Sequence, residues 1–382
     1  MKRFVTTLAL AFSLGATALP AAAAIVEVTG TVGATRMTMA NNRGDVFWAI
    51  GSNVYLSRRT AGVYQTYQLN AGLPGQHNDL YAQLNDAGDV VWTAVVAGVN
   101  QIFYFDSRTL TARQLTFGTA SRSWPRIGAN GNAAWTWFIN PAAGNGQAYL
   151  EYFDRAANQV VSVNSAPTAM GSWAIAFQSN GDLFWIDRPS YAMAVMKFNA
   201  TARTNSLVVQ RTGTSPASGQ LEVNDFGDMV WREINNGQYD LAYRNVQTGS
   251  VALLTSTAAE EGSIRLNYAG DVLYKVGPSI LLFDRRRATT TTVTANSGGY
   301  GDELRFNDAG DVVWAQKYGV AGTSVYVYNR VNATTAKVTA VSYDQEYFPW
   351  ITGGGDVFYL KTNSAGTDGR IMRASPGSYT SN

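Results

Sequence analysis

Cysteine is absent from the 382-residue sequence and histidine occurs once, at position 77. Without thiols, an exported chain has neither disulfide staples nor thiolate metal sites, so burial alone must hold it together. With one imidazole, a zinc site of the usual Cys/His kind is excluded. A Ser-His-Asp triad would have to use His77, and no Gly-x-Ser-x-Gly elbow accompanies it. His77 falls in the loop-like stretch Gly72-Leu73-Pro74-Gly75-Gln76-His77-Asn78-Asp79, where a solvated side chain is expected. Charge is scarce as well, at 15% of residues. Beyond the N-terminus no apolar run approaches the length of a membrane span. No segment longer than about two turns keeps a helical period, so helix content should be close to nil.

The N-terminus itself is distinctive. Lys2 and Arg3 precede an apolar stretch from Phe4 to Leu19, and Ala21 to Ala24 offer a small-residue cleavage site. This is the pattern of a secretory signal peptide over residues 1–24, so the mature chain begins near Ile25 and is expected in the periplasm or outside the cell. Removing Lys2 and Arg3 lowers the 29 basic residues to 27, level with the 27 acidic ones. A near-neutral chain disfavours nucleic acid or an anionic membrane as partner.

What fills the chain is a repeat. The pattern of Leu84-Asn85-Asp86-Ala87-Gly88-Asp89-Val90-Val91-Trp92 recurs eight times, with its glycines at 44, 88, 131, 181, 227, 270, 310 and 355. The spacings are 44, 43, 50, 46, 43, 40 and 45 residues, the period at which one repeat makes one small antiparallel sheet of a β-propeller. Each repeat carries four short segments rich in β-branched and aromatic residues, bounded by Gly, Asn, Asp, Ser or Thr. In the second they are Leu80 to Leu84, Asp89 to Thr93, Gln101 to Asp106 and Ala112 to Thr116. Asn85-Asp86-Ala87-Gly88 fits a type I turn followed by a left-handed residue, which only glycine enters without a Cβ clash. Val90 and Trp92 should face one neighbouring sheet and Val91 the other. The Thr-rich fourth strand should be the outer edge.

The predicted fold is therefore all-β: an eight-bladed propeller of four-stranded antiparallel blades, a single domain over residues 25–382 with a short tail from about Ala374. The last repeat lacks a fourth strand, while Val26-Glu27-Val28-Thr29 resembles one. The N-terminal strand is thus expected to complete the final blade and close the ring.

The order Ile102-Phe103-Tyr104-Phe105-Asp106, Arg113-Gln114-Leu115-Thr116, Ser123-Trp124-Pro125 and then the glycine hairpin resembles the repeats of TolB-like propellers. The Asn-Asp-x-Gly-Asp-Val-Val-Trp form is more similar still to a group of exported bacterial repeat proteins. The resemblance covers nearly the whole mature chain, implies the fold, and transfers no catalytic residue.

Positions that build the framework must repeat, so positions that break the repeat are free to carry function. The connections entering each first strand hold Glu260, Glu261, Asp302, Glu303, Asp344 and Glu346, with Tyr300, Tyr343 and Tyr347 beside them. A ligand-binding rim of solvated carboxylates and aromatics is expected there, fit for a sugar or a cation. A second ring lies two residues before each turn: Arg126, Glu222, Arg265 and Arg305, with Met39, Gln83, Ala176 and Trp350. Arginines on a central channel suit an anion, although Glu222 and Arg265 can instead pair. The repeated Asn and Asp residues invite a calcium reading, against which every blade needs the same turn. Arg285-Arg286-Arg287 reads as a solvated hairpin tip.

The functional expectation is a monomeric binding or interaction module for a protein or glycan, with no cofactor. The alternatives are a carboxylate-dependent glycan hydrolase or lyase and a purely structural cell-surface protein.

Overall fold

The computed structural model describes residues 24–29, 35–138, 147–187, 193–235, 237–257, 259, 261–298, 303–317, 322–338, 345–363, 365 and 368–381. The segment read as a signal peptide lies outside them, apart from Ala24. Among the described residues every regular element is a strand, and no helix is long and apolar enough to cross a membrane.

Strand pairing follows the repeat. In the second repeat Gln76–Leu84, Val90–Val96, Val99–Asp106 and Thr111–Gln114 form a four-stranded antiparallel meander. The same meander is built by each repeat from the first to the seventh. Their first strands are Thr35–Ala40, Gln76–Leu84, Arg122–Ile127, Thr168–Phe177, Thr214–Val223, Glu261–Leu266 and Arg305–Phe306. The eighth repeat supplies Gln345–Ile351, Val357–Thr362 and Gly369–Ala374, and Ile25–Glu27 adds the fourth strand, with Ile25 opposite Ala374 and Glu27 opposite Met372. Val28 N–H donates to the Ile371 carbonyl at 2.7 Å, extending this pairing. The segment read as a tail is not loose: Thr380–Ser381 pairs with Ala336 and Lys337 of the seventh unit.

The core is partitioned between units rather than within them. Val90 and Trp92 pack with Phe47, Val54 and Leu56 of the first unit. Val91 packs on the other side with Ala133, Trp135 and Phe153 of the third. This alternation repeats around the molecule, and its last member joins Phe358, Leu360 and Ile371 of the eighth unit to Val46 and Trp48 of the first. Each second strand is thus buried on both faces, which is why the triplets after the turn are apolar throughout. Fourth strands are wetter, as Thr289–Thr294 illustrates, with its first four residues exposed.

The turn chemistry explains the signature in full. Gly88 has φ of +89° and its N–H donates to the Asn85 carbonyl at 3.0 Å. Asn85 Oδ1 accepts the Asp89 N–H at 2.8 Å, while its Nδ2 donates to the Gly128 carbonyl of the next unit at 3.0 Å. The same reach joins Asn41 to Asn85, Gln178 to Asn224 and Asn307 to Thr352. Between the eighth and first units Gly353 N–H donates to Asn42 Oδ1 at 2.8 Å.

The turn aspartates add further bonds between units. Asp89 Oδ1 accepts from Ser107 N–H and from Arg155 of the third unit. Arg285 pairs with Asp228 across the next boundary but two, Arg330 with Asp271, and Arg59 of the first unit approaches Asp356 of the eighth at 3.5 Å. Arg285 is accordingly an inter-unit clamp and not the solvated tip expected for its triplet. The aspartate oxygens are occupied by these bonds, and no three His, Asp or Glu side chains converge on a metal site among the described residues.

His77 also departs from expectation. It lies in the first strand of its unit, 5% exposed, and its Nδ1 accepts the Trp92 indole N–H at 2.9 Å. Burial lowers its pKa. A buried indole favours an acceptor, and different residues supply it: Ser57 for Trp48, Glu151 for Trp135, Glu233 for Trp231, Gln316 for Trp314, while Trp185 Nε1 of the fourth unit has none among the described residues. His77 is the second unit's version of that cap.

Candidate anion channel

First strands face a shared cavity of about 490 Å³. The eight ring residues read from the sequence, Met39, Gln83, Arg126, Ala176, Glu222, Arg265, Arg305 and Trp350, all line it. They come from all eight units, and each stands two residues before its turn.

A local device aims them. In the first strands the ladder register shifts just before the ring position, between Ser123 and Arg126, Gly262 and Arg265, and Tyr347 and Trp350. At three of these bulges a residue other than glycine sits in the left-handed region: Trp124, Ser263 and Phe348, each with φ of +52°. Such residues carry backbone strain on the order of 1–3 kcal/mol apiece, and bulges re-aim the side chains that follow. Nothing in the residue pattern announced them.

The electrostatics are uneven. Arg265 Nη1 stands 3.8 Å from Glu222 Oε1, the pairing expected between neighbouring units, and also donates to the Ile264 carbonyl at 2.7 Å. Arg305 donates to the Leu304 carbonyl at 2.8 Å and lies over the Trp350 ring, 4.7 Å from its centroid. Arg126 makes no ion pair among the described residues. Burial opposes the charged form of Arg126, with Glu222 partly compensating and Arg265 adding repulsion. The same burial, reinforced by Arg265 and Arg126 and countered by Glu222 and Glu303, lowers Arg305 well below the usual guanidinium range. A guanidinium does not give up its proton in a protein, so these groups stay charged. Three guanidinium groups thus line one cavity, with Glu222 partly offsetting their charge. Asp225 lines the turn-side mouth, where its Oδ1 accepts the Ser179 N–H.

On the other rim the carboxylates are not uniformly solvated. Glu261 is 0% exposed: Oε1 accepts from Thr257 Oγ1 at 2.6 Å, Oε2 has no partner among the described residues, and burial raises its pKa with Asp240 adding to the effect. Glu346 is 2% exposed and accepts the Val325 N–H at 3.3 Å. Glu303 is half-buried and accepts the Phe348 N–H at 2.8 Å, and Tyr347 is half-buried beside Phe348. Glu260, Tyr300, Asp302, Tyr343 and Asp344 lie outside the described residues.

No family model matches the sequence, and no curated protein matches it by sequence. Solved structures do. The chain is similar to Porphyromonas gingivalis dipeptidyl peptidase 4 at a TM-score of 0.62 and 9% identity, over 92% of this chain and 60% of that one. It is similar to an oligogalacturonate lyase from Vibrio parahaemolyticus at a TM-score of 0.56 and 11% identity, over 94% and 100% of the two chains. TolB from Acinetobacter baumannii matches at a TM-score of 0.41 and 14% identity, over 81% and 82%, too loosely to support anything further. The chain thus spans 60% of the length of the dipeptidyl peptidase. The likeness is one of fold: all-β, propeller-like, built from repeated four-stranded antiparallel sheets.

Proposed function

We propose that the mature chain is exported, closes into a ring of eight blades through its N-terminal strand, and serves as a binding module that holds a small anion in its central channel. The observation that carries the site is the meeting of Arg126, Arg265 and Arg305 in one cavity where a single ring-level carboxylate, Glu222, opposes them. Closure is supported by the Ile25–Glu27 pairing, by the core shared between the eighth and first units, and by the Gly353 to Asn42 bond. Export is supported by the N-terminal residues alone, Lys2, Arg3 and the apolar stretch after them.

The glycan hydrolase or lyase alternative needs two carboxyl groups facing each other across a cleft. Glu261, Glu303 and Glu346 each accept bonds from the fold itself, so binding is the reading the geometry favours. An acidic glycan remains among the ligands that suit the channel, and the lyase of similar fold is named for one.

The test is thermal denaturation with inorganic phosphate and with acetate. A ligand held by the native state raises the midpoint as its concentration exceeds Kd. The wild type should show that rise, Arg126→Gln with Arg305→Gln should lose it, and Asp302→Asn with Glu303→Gln should retain it. Loss in the second pair and retention in the first would move the site to the rim of loop carboxylates.

A further inference from the structure

Two turn tips break the repeat in a way the framework does not require. At the second and third turn positions the other units have Asn42-Arg43, Asp86-Ala87, Ala129-Asn130, Ser179-Asn180, Asp308-Ala309 and Gly353-Gly354. The fifth unit instead has Phe226 after Asp225, and the sixth has Tyr268 before Ala269. Their backbones do what every turn does: Asn224 Nδ2 donates to the Tyr268 carbonyl at 3.3 Å, and Tyr268 N–H donates to Asp308 Oδ1 at 2.9 Å. The rings themselves are 55% and 53% exposed, 4.8 Å apart between centroids and tilted by 56°. Small or polar residues make the same turn elsewhere, so the exposed aromatic surface is not a requirement of the fold.

Position gives the pair a use. Phe226 follows Asp225 directly and Tyr268 stands two residues after Leu266, and both Asp225 and Leu266 line the channel cavity. The aromatic pair therefore sits at the turn-side mouth, on the two units that supply Glu222 and Arg265 below it. Tyr268 stands three positions after Arg265, on the order of 10 Å of chain.

We propose that Phe226 and Tyr268 form a stacking subsite for a sugar ring whose phosphate or carboxylate enters the channel, so that the ligand is an anionic saccharide. This rests on the channel reading and names the class of its ligand. Pyranose rings have an apolar face that packs on aromatic side chains, and a tyrosine hydroxyl offers a polar partner beside it. The arginines below supply the charge that a phosphate or carboxylate needs.

Calorimetry with the full mature chain distinguishes the parts, using inorganic phosphate, acetate, glucose 6-phosphate, galacturonic acid and phenyl phosphate. The wild type should bind glucose 6-phosphate about tenfold tighter than inorganic phosphate, the scale of one good aromatic contact, and galacturonic acid tighter than acetate by a similar factor. Phe226→Ala with Tyr268→Ala should remove both advantages and leave inorganic phosphate and the unfolding midpoint unchanged. If that variant retains the advantage while Arg126→Gln with Arg305→Gln abolishes binding, the channel stands and the stacking subsite is overturned. Phenyl phosphate binding tighter than glucose 6-phosphate overturns the saccharide assignment. Failure of every anion to bind the wild type overturns the channel reading and the subsite with it.

Discussion

The turn ring and the channel ring lie within a few residues of each other in every repeat and differ in how completely their polar groups are used. In the turn ring each side chain has a partner inside the fold: Asn85 bonds both its own turn and the next unit, and Asp89 accepts from Ser107 and Arg155. In the channel ring the same position carries methionine, glutamine, arginine, alanine, glutamate and tryptophan in different units, and Arg126 has no ion-pair partner among the described residues. Repetition marks what the fold needs of every unit. Variation at a fixed position marks what it leaves open, and charge left uncompensated there is what a ligand can meet.

The comparison breaks most severely if the turn ring is cut. Asp228 is buried and accepts from Val246 N–H while pairing with Arg285 Nε at 2.8 Å. Asp228→Ala leaves the guanidinium and an amide without their acceptor and should cost about 3 kcal/mol. Chemical denaturation measures it; a loss under half that size would show that the ring is not what joins the fifth and sixth units.

A smaller loss is expected at a turn glycine. Gly310 has φ of +86°, and a Cβ there would lie 2.5 Å from Arg330 Cδ. Gly310→Val should destabilise by about 1–3 kcal/mol from the left-handed backbone alone, and should also displace Arg330 from Asp271. A midpoint equal to that of the wild type would remove the structural reason for the glycine.

The smallest effect, and the one that sharpens the contrast, belongs to the channel. In anion-free buffer Arg126→Gln with Arg305→Gln should leave the melting midpoint unchanged or raise it, because it removes half-buried like charges that repel one another. A marked fall would make the arginines part of the framework, like the turn aspartates, and not a site held open for a ligand.

Local rules govern residues within a few positions of one another, and those parts of the molecule were legible in the amino-acid sequence. The left-handed glycine after Asn85, the opposite facing of Val91 and Trp92, the polar outer strands and the fourth-strand character of Val26 to Thr29 all follow from turn geometry and two-residue alternation. So did the ring positions, since a constant offset from a constant turn places them at one level. What only the tertiary structure decided involves partners beyond local reach, in the next strand or in another unit. His77 reads as a loop residue until Trp92 is seen donating to it. Glu261 and Glu346 read as solvated until neighbouring units bury them. Arg285 reads as a hairpin tip until Asp228, from another unit, receives it. The bulges at Trp124, Ser263 and Phe348 have no local signal, because none of these residues is a glycine or lies in a hairpin turn, so surrounding packing must hold them in the left-handed region.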